Sequence, residues 1–217
     1  MISWGTVQTW FDQGDVIVGR VDLATSDWEH FLPPRASRRV YGGPPDAQRR
    51  SRRTEGALRW ALGALLGLRP EVVPIERTPR GKPYLAAGPG FSVAHTGDVA
   101  LLALARRKQV GVDLEPAART IDAEALAHGF FPERARNEIL AAPPAERHHI
   151  ALATFTCFEA VAKATGVGLT VPADDLERAG AGLCWRHVDV GSDHIACVAA
   201  SPPLETIRIF AAPRPLR

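Results

Sequence analysis

The stretch Phe91-Ser92-Val93-Ala94-His95-Thr96-Gly97-Asp98, followed by the apolar run 99–105 and by Val110-Gly111-Val112-Asp113-Leu114-Glu115, sets the architecture of this chain. It holds three short apolar segments, 91–95, 99–105 and 110–114. Each is too short for a helix, and the first two are joined by Thr96-Gly97-Asp98 in the manner of a hairpin turn. A helical pattern precedes them. Leu58, Ala61, Leu62, Leu65 and Leu66 recur at helical spacing within 47–66, Asp46 is placed to cap the start, and Gly67 and Pro70 close the end. The same order returns later. A long helix is expected over 147–165, ending at Gly166, and strands over 183–190, 194–200 and 206–210, with Gly191-Ser192-Asp193 as the turn between the first two. An earlier strand covers 16–23. The segment 33–46, rich in Pro, Gly and Arg, reads as a loop. Short helices broken by Pro132 and Pro143-Pro144 fill 116–146.

A long helix and a three-strand meander, occurring twice, imply an α+β chain of two similar lobes. The expected domains are 1–107 and 108–217, with a boundary near 106–109. The halves share no strong residue identity, so the repeat is one of architecture. A crevice between such lobes is the place to look for a ligand. A single mixed sheet with helices on one face is the simpler alternative.

The 217 residues are 46% apolar and 23% charged, ordinary values for a globular protein. No run suits a membrane helix, and the first ten residues lack the pattern of a signal peptide. The net charge of +2 conceals an asymmetry. Residues 1–107 carry 15 basic and 10 acidic side chains, and 108–217 carry 11 and 14. The front half therefore leans toward anions and the back half holds spare carboxylates. A small phosphorylated ligand suits this excess better than a nucleic acid, which would call for more positive charge and interleaved aromatics. The three cysteines, Cys157, Cys184 and Cys197, match no zinc spacing and form no disulfide framework. They are expected to be idle thiols in a reducing cytoplasm.

Four features carry possible chemistry. Asp113 and Glu115 alternate with Val112 and Leu114, so both carboxylates share one strand face, where their repulsion invites a cation. Mg²⁺ suits such a pair, because it takes oxygen ligands and commonly joins carboxylates to substrate phosphates; the bland alternative is a hydrated strand end. Glu159 and Lys163 lie four apart on one helix face, among Phe155, Cys157, Phe158, Ala160, Val161 and Ala162. That setting is unusually apolar for an ordinary surface ion pair. His95 stands at a strand end beside Thr96. Arg49, Arg50, Arg52 and Arg53 open a helix whose N-terminus already favours anions.

In this order and spacing the chain resembles the 4′-phosphopantetheinyl transferase family, in its larger, pseudo-dimeric form that activates carrier proteins of peptide and polyketide synthases. The resemblance rests on Gly81-Lys82-Pro83, residues 91–96, residues 111–115, Phe130-Phe131-Pro132-Glu133, residues 155–163 and Gly166-Val167-Gly168-Leu169, within about 47–172. It implies an enzyme that moves the 4′-phosphopantetheine arm of coenzyme A onto a serine of an apo acyl or peptidyl carrier protein and releases 3′,5′-ADP. It implies Mg²⁺ on Asp113, Glu115 and Glu159. Asp113, Glu159 and Lys163 become the catalytic residues, with Lys163 near the transferred diphosphate. Lys82, His95, Thr96, Lys163 and an arginine among Arg49, Arg52 and Arg53 become the coenzyme A contacts. The Phe130-Phe131 region and the helix after it correspond to the carrier-protein surface. A cytoplasmic monomer is expected, with neither nucleic acid nor membrane as partner. Two departures stand out. Phe158 replaces a common Lys before the metal-binding glutamate, and Ala94 replaces a common Ser before the histidine. The alternative is a weak or inactive homologue that binds coenzyme A or a carrier protein without transfer.

Overall fold

A computed structural model describes residues 3–24, 27–34, 43–106 and 109–212. Most of the arginine-rich loop and the centre of the expected 106–109 boundary lie outside the described residues. The chain is α+β. The helix α1 (Trp4–Asp12) leads into β1 (Val16–Asp22), and a 3-10 turn (Trp28–Phe31) precedes the long α2 (Pro45–Leu66). A small ribbon of β2 (Glu76–Arg77) and β3 (Pro83–Tyr84) is followed by β4 (Gly90–Thr96), β5 (Val99–Ala105) and β6 (Val110–Pro116). Then come α3 (Ala123–Phe130), α4 (Glu133–Ala141), the long α5 (Pro144–Thr165), α6 (Ala173–Gly180), β7 (Cys184–Val188), β8 (His194–Ala200) and β9 (Ile207–Ala211).

Both long helices form where the periodicity places them, and both end on a glycine in the left-handed region, Gly67 at φ 67° and Gly166 at φ 77°. Such a φ strains any residue with a Cβ. The start of α2 differs from expectation. Pro44 is the N-cap and Asp46 lies inside the first turn, where its carboxylate pairs with Arg49 at 2.9 Å. Pro45 at the first helical position has its backbone preset for a helix start, and no side chain caps the end. The helices α1 and α6 have no counterpart in the expected elements. Among the described residues no helix is long and apolar enough to cross a membrane.

The strands form two sheets of four and three strands, ordered β4-β5-β1-β9 and β6-β8-β7, besides the ribbon. Strand β1 runs antiparallel to β5 and parallel to β9, whereas β6, β8 and β7 are antiparallel throughout. This differs from two consecutive meanders in two strands. Strand β6 leaves its hairpin predecessors for the second sheet, and β9 returns to the first. Glycines allow close packing at both. Phe210 of β9 is buried over Gly19 of β1, where a Cβ would lie 3.2 Å from the phenyl ring. Gly111 of β6 meets α5 so closely that a Cβ there would fall 1.9 Å from the Ala160 carbonyl oxygen.

The apolar residues divide by strand parity. Ile17, Val21, Leu102 and Leu104 pack with Leu58, Ala61 and Leu62 of α2. Val16, Val18, Leu101 and Ala103 turn the other way and join Val110, Val112, Leu114 and Val198 in a core shared by the two sheets. On the far side of the second sheet, Cys157, Ala160 and Ala164 of α5 pack on Cys197 and Ala199. Burial on both faces explains why β5 is a continuous apolar run rather than an alternating one.

Candidate active site

The second sheet and α5 build the centre. With Val112 and Leu114 committed to the shared core, Gly111, Asp113 and Glu115 must face α5. Gly111 lets the helix come close, and the helix then lays Glu159 and Lys163 over Asp113. The Lys163 Nζ is 2.6 Å from Asp113 Oδ1 and 3.9 Å from Glu159 Oε2. Glu115 is held by the Arg119 guanidinium. Asp113 is only 4% exposed, and its Oδ2 is buried with no hydrogen-bond partner among the described residues. Buried carboxylate oxygens are nearly always paired, so this atom marks a place for a cation or a donor.

Electrostatics point the same way. Burial, followed by repulsion from Asp113, pushes the Glu159 carboxyl up to about 7, with Glu115 adding to the rise and Lys163 and Arg119 opposing it. Burial and Asp113 also raise Glu115, against Arg119 and Lys163. Three carboxylates crowd each other, and a divalent ion would relieve them. The all-oxygen donor set suits Mg²⁺. The oxygens are not gathered on one point: among the described residues no three of these acidic ligand atoms lie within 4.8 Å of one another, and the Lys163 ammonium stands between Asp113 and Glu159. The residues fit the ion in chemistry and charge, and coordination by all three requires Glu115 and Glu159 to swing toward Asp113.

Next to this centre lies a cleft of about 350 Å³, lined by Arg80, Lys82, Ser92, Glu159, Lys163 and the Gly166–Leu169 turn among others. The loop carrying Lys82 is tied to the end of α5. Lys82 Nζ donates to the Ala164 carbonyl at 2.6 Å and Arg80 Nη1 to the Val167 carbonyl at 2.9 Å. Burial lowers the Lys82 pKa. Ser92 bridges the sheets, its buried hydroxyl accepting a hydrogen bond from the Val112 N–H at 3.1 Å. The cleft thus joins Lys82, Glu159 and Lys163, three of the expected residues.

His95 and Thr96 stand at the end of β4. Partial burial of the ring, then the Lys163 and Arg50 cations, lower the His95 pKa, and its Nε2 is 3.5 Å from Ser51 Oγ. The arginines divide. Arg49 pairs with Asp46, and Arg52 and Arg53 are tied to Glu29, with Arg53 also donating to the Leu23 carbonyl. Arg50, absent from the three arginines expected to serve coenzyme A, pairs with Asp98 in the β4–β5 turn at 3.0 Å and is the one whose charge acts on His95. The signal was available in the sequence: the Gly97-Asp98 turn offers an anion beside His95, although only the fold shows which arginine meets it. Phe130, Phe131, Phe155 and Phe158 form an aromatic cluster, with Phe131 and Phe158 centroids 5.2 Å apart. Phe131 is buried in it.

This is an α+β protein in which a helix-backed antiparallel sheet presents a carboxylate–lysine centre to a cleft. Residues 109–189, which include this centre, match the sequence model of the 4′-phosphopantetheinyl transferase superfamily. The chain is 36% identical over 130 residues to the 4′-phosphopantetheinyl transferase HetI of Nostoc sp., covering 58% of this chain and 55% of that protein. It is 31% identical over 118 residues to a Synechocystis protein provisionally named as a 4′-phosphopantetheinyl transferase, covering 52% and 48%. Over the part that carries this centre, the chain is therefore similar to the 4′-phosphopantetheinyl transferase superfamily. It spans about half the length of the curated relatives it matches.

Proposed function

We propose that this chain transfers the 4′-phosphopantetheine arm of coenzyme A to a serine hydroxyl of an apo acyl or peptidyl carrier protein, releasing 3′,5′-ADP. The observation that carries it is the buried Asp113, with one oxygen on Lys163 and the other without a partner, beside a Glu159 that titrates near neutrality. Mg²⁺ bound by Asp113, Glu115 and Glu159 would neutralise the diphosphate and hold it in line. The Glu159 carboxylate, beside Asp113 and lining the cleft, is placed to accept the serine proton. A serine Oγ–phosphorus bond then forms as the bond from that phosphorus to the 3′,5′-ADP oxygen breaks. The Lys163 ammonium faces the charge that gathers on the leaving phosphate, and Lys82 lines the same cleft for the coenzyme's phosphates. His95, Thr96 and an arginine of α2 would extend the coenzyme A contacts beyond this cleft.

The two helix-on-sheet layers support a pseudo-dimer, with 1–107 supplying coenzyme A contacts and 108–217 the metal-binding acids. One chain would then hold both walls of the cleft and act as a monomer. Coenzyme A and carrier proteins are cytoplasmic, and that is the compartment we assign.

The test incubates the purified chain with coenzyme A, Mg²⁺ and apo carriers of the fatty-acid, peptide and polyketide types, read by intact mass. A gain of one phosphopantetheine arm on a carrier is expected. No gain on any carrier would instead favour a homologue that binds without transferring.

A further inference from the structure

A second ligand cluster borders the acids, since Cys197 is the β6–β8 register partner of Asp113. Cys157 of α5, His187 of β7 and Cys197 of β8 each bring one ligand atom within 4.8 Å of the others. Three rigid elements position them. His187 and Cys197 are direct partners in the antiparallel β7–β8 register, so both side chains project from one sheet face. Cys157 descends on that face from α5 and packs with Cys197, Ala160 and Ala199. The imidazole packs directly on the Cys157 thiol. Its Nδ1 is 3.3 Å from the Ala196 carbonyl, and the Cys157 sulfur lies against the ring, 3.4 Å from Nε2 and 3.9 Å from Nδ1. For a tetrahedral zinc with bonds of about 2.3 Å to sulfur and about 2.0 Å to nitrogen, the sulfur–nitrogen edge is about 3.5 Å. The observed separation matches that edge before any ion is present.

Access also suits a metal. Both thiols are buried, at 4% and 0% exposure, and His187 is exposed. Cys157 and His187 form part of the wall of a cavity of about 510 Å³ that also presents Glu138, His149 and Trp185. Three protein donors with an open side facing a cavity are the arrangement of a zinc site that keeps one exchangeable position.

We propose that Cys157, His187 and Cys197 form a binding site for a thiophilic divalent cation of the zinc class, with its fourth position open to this cavity. The site is chemically separate from the carboxylates. Two sulfurs and an imidazole select a soft ion, whereas the all-oxygen acids select a hard one. It stands whether or not the chain transfers phosphopantetheine.

The experiment uses the full chain, purified with a phosphine reductant, stripped with chelator and titrated with Zn²⁺, or with Co²⁺ as a coloured probe, in excess Mg²⁺. One equivalent of zinc by elemental analysis is expected, with a thiolate-to-cobalt charge-transfer band and the intense visible bands of tetrahedral cobalt. Cys184→Ser, at the exposed cysteine outside the cluster, should bind as the parent does. Cys197→Ser should lose the charge-transfer intensity of one thiolate. His187→Asn, on an exposed edge strand where the fold tolerates change, should weaken zinc at least about tenfold. Circular dichroism verifies its folding, so this variant decides the matter even where Cys197→Ser fails to fold. Substoichiometric zinc in the parent, displacement by Mg²⁺, or parent-like affinity in His187→Asn would overturn the proposal.

Discussion

Asp113 concentrates the chemistry in one side chain. Asp113→Asn keeps its size but removes the charge that Lys163 faces and that a cation would need. Transfer activity is expected to fall by more than about 100-fold with an unchanged far-UV circular dichroism spectrum, measured as carrier mass gain over time. Glu159 gives a pH signature. Its folded pKa of about 7 lies above the ordinary 4.5, so the metal-free folded state holds a proton that the unfolded chain releases. Its stability contribution is therefore complete below pH 4.5 and is lost as pH rises through about 7. Glu159→Gln should match the parent near pH 4.5 and exceed it at pH 8 by roughly 1–3 kcal/mol, seen in denaturant titrations without metal. These acids were legible because strand alternation and the four-residue helical step fix their neighbours locally. Cys157, His187 and Cys197 were not, because a helix and two strands bring them together and no spacing along the chain encodes that. The pairing of Arg50 with Asp98 was hidden for the same reason, since the two lie 48 residues apart along the chain.

At the scale of elements, the contact of α5 with β6 determines whether the acids meet. A methyl group at Gly111 would collide with the Ala160 carbonyl, and backbone cannot yield as a flexible side chain can. Gly111→Ala should destabilise the chain by about 1–3 kcal/mol or more in urea, and should lower activity as Glu159 draws away from Asp113. Phe158 takes a meaning here that the sequence did not disclose. In place of a common lysine it completes the aromatic cluster that holds α3 on α5, with Phe130 and Phe131 centroids 6.3 and 5.2 Å away. Phe158→Ala should cost roughly 2 kcal/mol in urea denaturation, below the 3–5 typical of a fully buried ring because Phe158 is half-buried. Helices and hairpins were largely readable from periodicity and glycine punctuation. Which sheet a strand joins was not, since that depends on close packing between distant strands, such as Phe210 over Gly19.

The whole molecule is unified by the core between its sheets, where Val18, Leu101 and Ala103 meet Val112, Leu114 and Val198. A shared core makes the two layers unfold together. Phe210→Ala, far from the acids, should lower stability by roughly 3–5 kcal/mol. The loss should register in a single transition by both tryptophan fluorescence and far-UV circular dichroism. Two separate transitions would mean that the layers are energetically independent. Strand β9 has a further consequence. Val16 and Ile207 are register partners, so β1 must wait for a strand synthesised long after it. While the polypeptide grows on a ribosome, β1 keeps a bare, hydrogen-bonding flank, and its closure is deferred until residue 211 emerges; a nascent fragment stopped short of that point would be a ready substrate for chaperones and for sticking to its own kind.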